Sequence, residues 1–222
     1  METLEYASGR FADVFGEPSR PGVLLWHGMQ TDARAAVRPL AEILADRAHV
    51  FVPDWNSHSA DGGHADLLNS FGFARRLAVS SDGLVLVGWS MGGAAAAGLA
   101  IHAKQFDAPV AHTVCLAGAF MATDPICGKV PGQLSAGDVG APFTLLHGVM
   151  DDVVPPAISR SFASRLREEG WPVELVELDA DHGSIAGATY DPATDRYGPA
   201  DDAETRAVAR AVAARIAAVL PY

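Results

Sequence analysis

Residues 84–93 read LVLVGWSMGG. Leu84, Val85, Leu86 and Val87 make an apolar run rich in β-branched residues, the composition of a buried strand. Gly88, Trp89, Ser90, Met91 and Gly92 follow it directly. Two readings compete for this serine. In one, the glycines merely let a strand pass into a helix and Ser90 is a passive cap. In the other, they allow a turn too sharp for bulkier residues, and the turn presents the Ser90 hydroxyl as a nucleophile.

Working outward, the same kind of run recurs at Gly22 to Trp26, His49 to Val52, Val110 to Leu116, Pro142 to Leu146 and Val173 to Leu178. Between and after the runs, Arg34 to Ala45, Ala65 to Val79, Met91 to His102, Ala157 to Glu169 and Glu204 to Leu220 carry helical spacing. Short apolar runs alternating with helices predict an α/β fold, a mostly parallel central sheet with helices on both faces. The first twenty residues alternate around Ser8 and Gly9, as a hairpin or edge strands would. No repeat or linker divides the chain, so one domain over residues 1–222 is expected.

The balance of charge narrows the partners. A net charge of −11 disfavours nucleic-acid backbones and anionic membrane surfaces and leaves a small molecule as the expected partner. The opening METLEYASGRFADVFGEPSR lacks an apolar stretch of leader length, and nowhere is there a run of about 20 apolar residues, so a cytoplasmic location off the membrane is expected. Cys115 and Cys127 have neither zinc nor disulfide spacing. His58 and His64 stand near Asp54, Asp61 and Asp66 without a recognised ligand pattern, and no metal is expected there.

In an open parallel sheet, ligands bind beyond the carboxyl ends of the strands. A serine hydroxyl there needs a base, and the base needs a carboxylate to fix its tautomer and stabilise its cation. Asp151 lies in HGVMDDVVP after one strand, and His182 lies in DADHGS after the next. Asp152, Asp179 and Asp181 compete as the acid. His27 and His147 precede glycines at strand ends and read as buried hydrogen-bonding groups. The Met91 amide, at a helix start, and the Met29 amide in WHGMQ would face an oxyanion beside Ser90. Trp26, Trp55 and Trp89 flank strand ends and are expected to line the pocket, unless they are ordinary packing aromatics.

LLWHGMQ, VFVPDWNSHSADG, VLVGWSMGG, LLHGVMDDVVP and DADHGS, in that order, resemble the α/β-hydrolase superfamily over nearly the whole chain. The resemblance implies Ser90 as nucleophile, Asp151 as acid, His182 as base and the Met29 and Met91 amides as oxyanion donors, with no cofactor. Two departures stand out. PDWNSHS lacks the arginine and both glycines of the segment that resembles PDxRGHGxS, and about twenty residues separate His182 from the last helix. That loop, with Tyr190 and Tyr197, is expected either to fold over the site or to form a surface excursion.

Family members often carry a helical cap after the strand that ends here at Gly118. Only some two dozen residues, rich in Gly and Pro, span Ala119 to Ala141, so an almost capless enzyme with an open site is expected. The chain is similar to small carboxylesterases, thioesterases and dienelactone hydrolases, although the last usually bear a cysteine where Ser90 stands. Ester hydrolysis of a small or medium acyl group is the expectation. Thioesterase, lactonase, lyase, perhydrolase or acyltransferase chemistry, or ligand binding without turnover, remain the alternatives.

Overall fold

The computed structural model describes residues 1–79, 83–131 and 139–221. Among them, β3 (Gly22–Trp26) and β5 (Leu84–Trp89) are buried along their whole length, as strands covered on both faces must be. Their side chains alternate between two cores. Val85 and Val87 face one, Leu84 and Leu86 the other.

Eight strands form one sheet in the order β1-β2-β4-β3-β5-β6-β7-β8. The antiparallel pair β1 (Glu2–Ala7) and β2 (Arg10–Phe15) turns at Ser8 and Gly9 and joins the sheet through β4 (His49–Pro53). From β4 onward every pairing is parallel, through β3, β5, β6 (Val110–Leu116), β7 (Phe143–Gly148) and β8 (Val173–Leu178). The strand order reverses direction between β3 and β5, which opens a crevice beyond their carboxyl ends. The sheet is thus the mostly parallel one that the apolar runs imply.

Helices cover both faces. Leu40 and Leu44 of α1 (Arg38–Leu44) and Val212 and Ile216 of α5 (Ala203–Ala217) pack on one side. On the other lie α2 (His64–Leu77), α3 (Met91–Ile101) and α4 (Pro156–Glu168), through Leu67, Phe71, Leu99, Phe162 and Leu166. The pattern from Arg34 to Ala45 divides in two: a 3₁₀ turn over Arg34–Val37 precedes α1. Pro39 stands in the first turn of α1, where its missing N–H costs nothing but its ring bars continuation from the residues before.

The segment expected to be a loop behind His182 contains a 3₁₀ turn, Ser184–Ala186, and an antiparallel hairpin of β9 (Ala188–Asp191) and β10 (Arg196–Pro199). The connection from Ala119 to Ala141, expected to carry no cap, includes residues 132–138, which lie outside the described residues. Among the described residues no helix is long and apolar enough to cross a membrane.

Candidate active site

Ser90 occupies the turn between β5 and α3 with φ 56° and ψ −117°, a conformation unusual for a residue with a side chain. Its backbone is held from four directions. The amide donates to Leu116 O at 2.9 Å, and the carbonyl accepts from Gly93, Ala94 and Ala119. The flanking glycines permit this. A Cβ on Gly88 would stand 2.1 Å from Gly92 O, and one on Gly92 would stand 2.4 Å from His27 O. The strand, the helix and the loop after β3 therefore approach one another at backbone distance.

That loop brings Met29 beside the serine, since a Cβ on Gly28 would meet Ser90 Cβ at 3.4 Å. The loop is braced from beneath by His27, which is fully buried. Its Nε2 accepts from the amides of Ala33 (3.3 Å) and Trp55 (3.2 Å), which leaves Nδ1–H to donate to Gly28 O at 2.8 Å. Burial pushes His27 down to about 4, so the ring is neutral near pH 7. Among the described residues the Met29 and Met91 amides have no hydrogen-bond acceptor, and Met91 opens α3, where amides point outward.

His182 and Asp151 meet behind the serine. Nδ1 of His182 lies 2.8 Å from Asp151 Oδ2, and because a carboxylate can only accept, that nitrogen carries the proton and Nε2 is left as a base. Asp151 Oδ1 accepts from the amides of Val153 (2.9 Å) and Val154 (2.8 Å). A second histidine, His147, approaches Asp151 Oδ2 at 3.3 Å while its Nε2 meets Val154 O at 2.8 Å and its Nδ1 meets Ser159 Oγ at 2.7 Å. Burial disfavours the charged form of Asp151, but contacts from His147 and His182 and the Val154 amide outweigh it and hold the carboxyl below the usual carboxylate range.

Ser90 and His182 open on one cavity of about 460 Å³, also lined by Met29, Gln30, Trp89 and Tyr197. Among the described residues no hydrogen bond joins Ser90 Oγ to His182. Such contacts are often long in an empty site and tighten around substrate. Trp89 holds His182 from the side: Nε1 donates to His182 O at 2.8 Å, and the two rings lie 5.4 Å apart. A second cavity of about 900 Å³ shares His182, Val153, Tyr190 and Tyr197 with the first.

The competing acids have other places. Asp181 Oδ1 caps the amides of Gly183 (2.9 Å) and Ser184 (2.7 Å), and Asp152 and Asp179 are exposed. Of the three tryptophans, only Trp89 reaches the cavity. Trp26 is buried in the core beneath it with Nε1 donating to Ser70 Oγ, and buried Trp55 stacks on His27 and donates to His27 O. A place at a strand end does not fix which face of the sheet a side chain takes, and these two rings turned inward.

Asp54 and Asp66 pair with Arg34 and Arg10, Asp61 accepts from the Ala65 and Gly63 amides, and His64 Nδ1 contacts Ile126 O. Among the described residues no group of three or more His, Cys, Asp or Glu is placed to hold a metal. His58 instead borders the Ser90 cavity. Gln30 carries no sequence signal for a role, because its partner lies 167 residues away in the hairpin.

No family model matches the chain, and no curated relative matches it in sequence. Its structure is similar to that of Thermogutta terrifontis esterase 2. The form phosphorylated by paraoxon superposes with a TM-score of 0.69 at 19% identity, over 100% of this chain and 95% of that one. The butyrate-bound form gives 0.67 at 19% identity, over 97% and 94%. The propionate-bound form gives 0.67 at 20% identity, over 100% and 96%. At such identity the likeness bears on the path of the backbone, and on that ground, with its sheet order and crossovers, the chain has the α/β-hydrolase fold.

Proposed function

We propose that the protein is a serine hydrolase that cleaves esters of small or medium acyl groups through an acyl-enzyme, as one domain spanning the chain. The observation that carries this reading is the buried Asp151 to His182 hydrogen bond, facing the cavity in which Ser90 stands on its strained turn. A neutral imidazole oriented by an ionised carboxylate is what a hydroxyl nucleophile requires.

In this mechanism Ser90 Oγ attacks the ester carbonyl while His182 Nε2 takes its proton. Negative charge grows on the carbonyl oxygen, and the Met29 and Met91 amides receive it. Each such donor contributes about 3 kcal/mol to the transition state. The imidazolium, stabilised by Asp151, then protonates the departing alkoxide as the C–O bond breaks. Water, deprotonated by the same nitrogen, attacks the acyl-enzyme and releases the acid and Ser90. The reaction draws on no group beyond these and water. The butyrate and propionate bound by the esterase of like fold support a short acyl group.

The test is hydrolysis of p-nitrophenyl esters from acetate to decanoate by wild type and Ser90→Ala in parallel, with fluorophosphonate labelling of both. Turnover and labelling by wild type, and loss of at least about 10³-fold of the rate in a folded Ser90→Ala, are expected. A folded wild type that neither turns over nor labels would point to a binder. Labelling without ester turnover would point to another acyl chemistry of this fold.

A further inference from the structure

We propose that Gln30 is a specificity-determining and positioning residue: its carboxamide clasps the β9–β10 hairpin across the Ser90 cavity and makes that hairpin a fixed wall. The inference rests on the serine-hydrolase reading of the cavity. Gln30 follows Met29 directly, so whatever holds Gln30 also holds the loop that offers the Met29 amide.

The clasp is reciprocal. Gln30 Nε2 donates to Tyr197 O at 3.0 Å, and the Tyr197 amide donates to Gln30 Oε1 at 2.8 Å. The two groups imitate one rung of an antiparallel ladder, with a side chain in place of a strand. The orientation of the carboxamide follows from its partners, because a flipped amide would set donor against donor and acceptor against acceptor. A third bond runs beside it, from the Arg196 guanidinium to Thr31 O at 3.0 Å. All three span more than 160 residues of chain, so they tie together segments that nothing local would bring into contact.

On its other side the hairpin rests against the base. The Tyr197 ring lies 5.1 Å from Trp89, edge to face, and 6.0 Å from His182. A Cβ on Gly183, the residue after His182, would stand 3.0 Å from the Tyr197 ring. Tyr190 packs 5.2 Å from Tyr197, and these two rings line both the cavity of about 460 Å³ that holds Ser90 and the neighbouring one of about 900 Å³. The hairpin is therefore a partition between the two spaces. Its position sets whether an acyl chain attached at Ser90 is confined to the smaller space or reaches the larger.

A flap that opened freely would leave the backbone of β10 unpaired on this edge. Here that edge is occupied by Gln30, and the same side chain links the oxyanion side of the site to the His182 side. Gln30→Ala removes both bonds of the clasp. Gln30→Glu is nearly isosteric, keeps an acceptor for the Tyr197 amide and turns a carboxylate oxygen against the Tyr197 carbonyl, so it guards against a folding defect in the first variant.

The experiment pairs amide hydrogen exchange with the chain-length profile in wild type, Gln30→Ala and Gln30→Glu. Exchange of the Tyr197 amide in Gln30→Ala is expected to quicken about tenfold or more. The octanoate to acetate ratio of kcat/KM is expected to rise about fivefold in both variants as the wall loosens. Unchanged exchange at Tyr197 in Gln30→Ala overturns the clasp, and does so even in a protein that cleaves no ester, which separates this failure from that of the hydrolase reading. A uniform loss on every ester with the ratio unchanged overturns the role in specificity.

Discussion

Two of the three hydrogen bonds made by the His27 ring depend on an unprotonated Nε2, so acid weakens the loop after β3 through this residue. Burial lowers its folded-state value to about 4, whereas the unfolded chain titrates near 6.5. Its contribution to stability is therefore full above about pH 6.5 and is lost as the pH falls towards about 4, by up to about 3 kcal/mol. His27→Gln should be less stable than wild type at pH 7, and urea denaturation should show the two stabilities converging between pH 7 and pH 4. Asp151 does not blur this window. Its folded value lies below the ordinary carboxylate range, so its contribution holds above about pH 4 and fails only below it. At this scale the sequence singled out Ser90, Asp151 and His182 as candidates, because a hydroxyl nucleophile would need those residue types at strand ends, and the structure sets Asp151 against His182 and His182 on the cavity that Ser90 lines. The sequence left open whether Trp26 and Trp55 line the pocket or pack inward, which the core decides.

The turn from β5 into α3 is specified by what cannot fit there. A Cβ on Gly92 would sit 2.4 Å from His27 O and 2.5 Å from Trp26 O, and backbone oxygens cannot swing aside. Gly92→Ala is expected to cost about 3 kcal/mol or more in urea denaturation, since α3 must withdraw from the sheet. Gly72 in α2 offers the contrast: a Cβ there meets only Arg76 at 3.6 Å, so Gly72→Ala should gain up to about 1 kcal/mol. The fully buried strands β3 and β5 were legible because each is a run of apolar residues ending in a glycine-flanked turn or a loop. The hairpin was not. Its strands are four residues each, ATYD and RYGP, mostly exposed, and part of what holds them is Gln30, far away in sequence.

Across the whole molecule, a charge of −11 sets the field that a substrate crosses. Among the described residues, the Ser90 cavity and its neighbour are lined by four aspartates, Asp152, Asp181, Asp195 and Asp202, and by one arginine, Arg196. An ester carrying a carboxylate should therefore be cleaved about tenfold less efficiently than its neutral isostere at low salt, and raising the salt from about 10 mM to about 0.5 M should close most of that gap. A gap that ignores salt would place the discrimination in shape rather than charge. The mostly parallel sheet was readable from the chain, since short apolar runs alternating with helices leave few arrangements, but the walls above it were not, being built from loops that meet only in space. Among the described residues, Asp32, Ser90, Asp107, Ala117 and Asp195 carry side chains at positive φ. At residue 90 the backbone takes a conformation that glycine would adopt with less strain, yet the chain carries a hydroxyl there. On the hydrolase reading proposed above, the hydroxyl at that point serves chemistry and not folding, and the strain is the ease the molecule gives up for it.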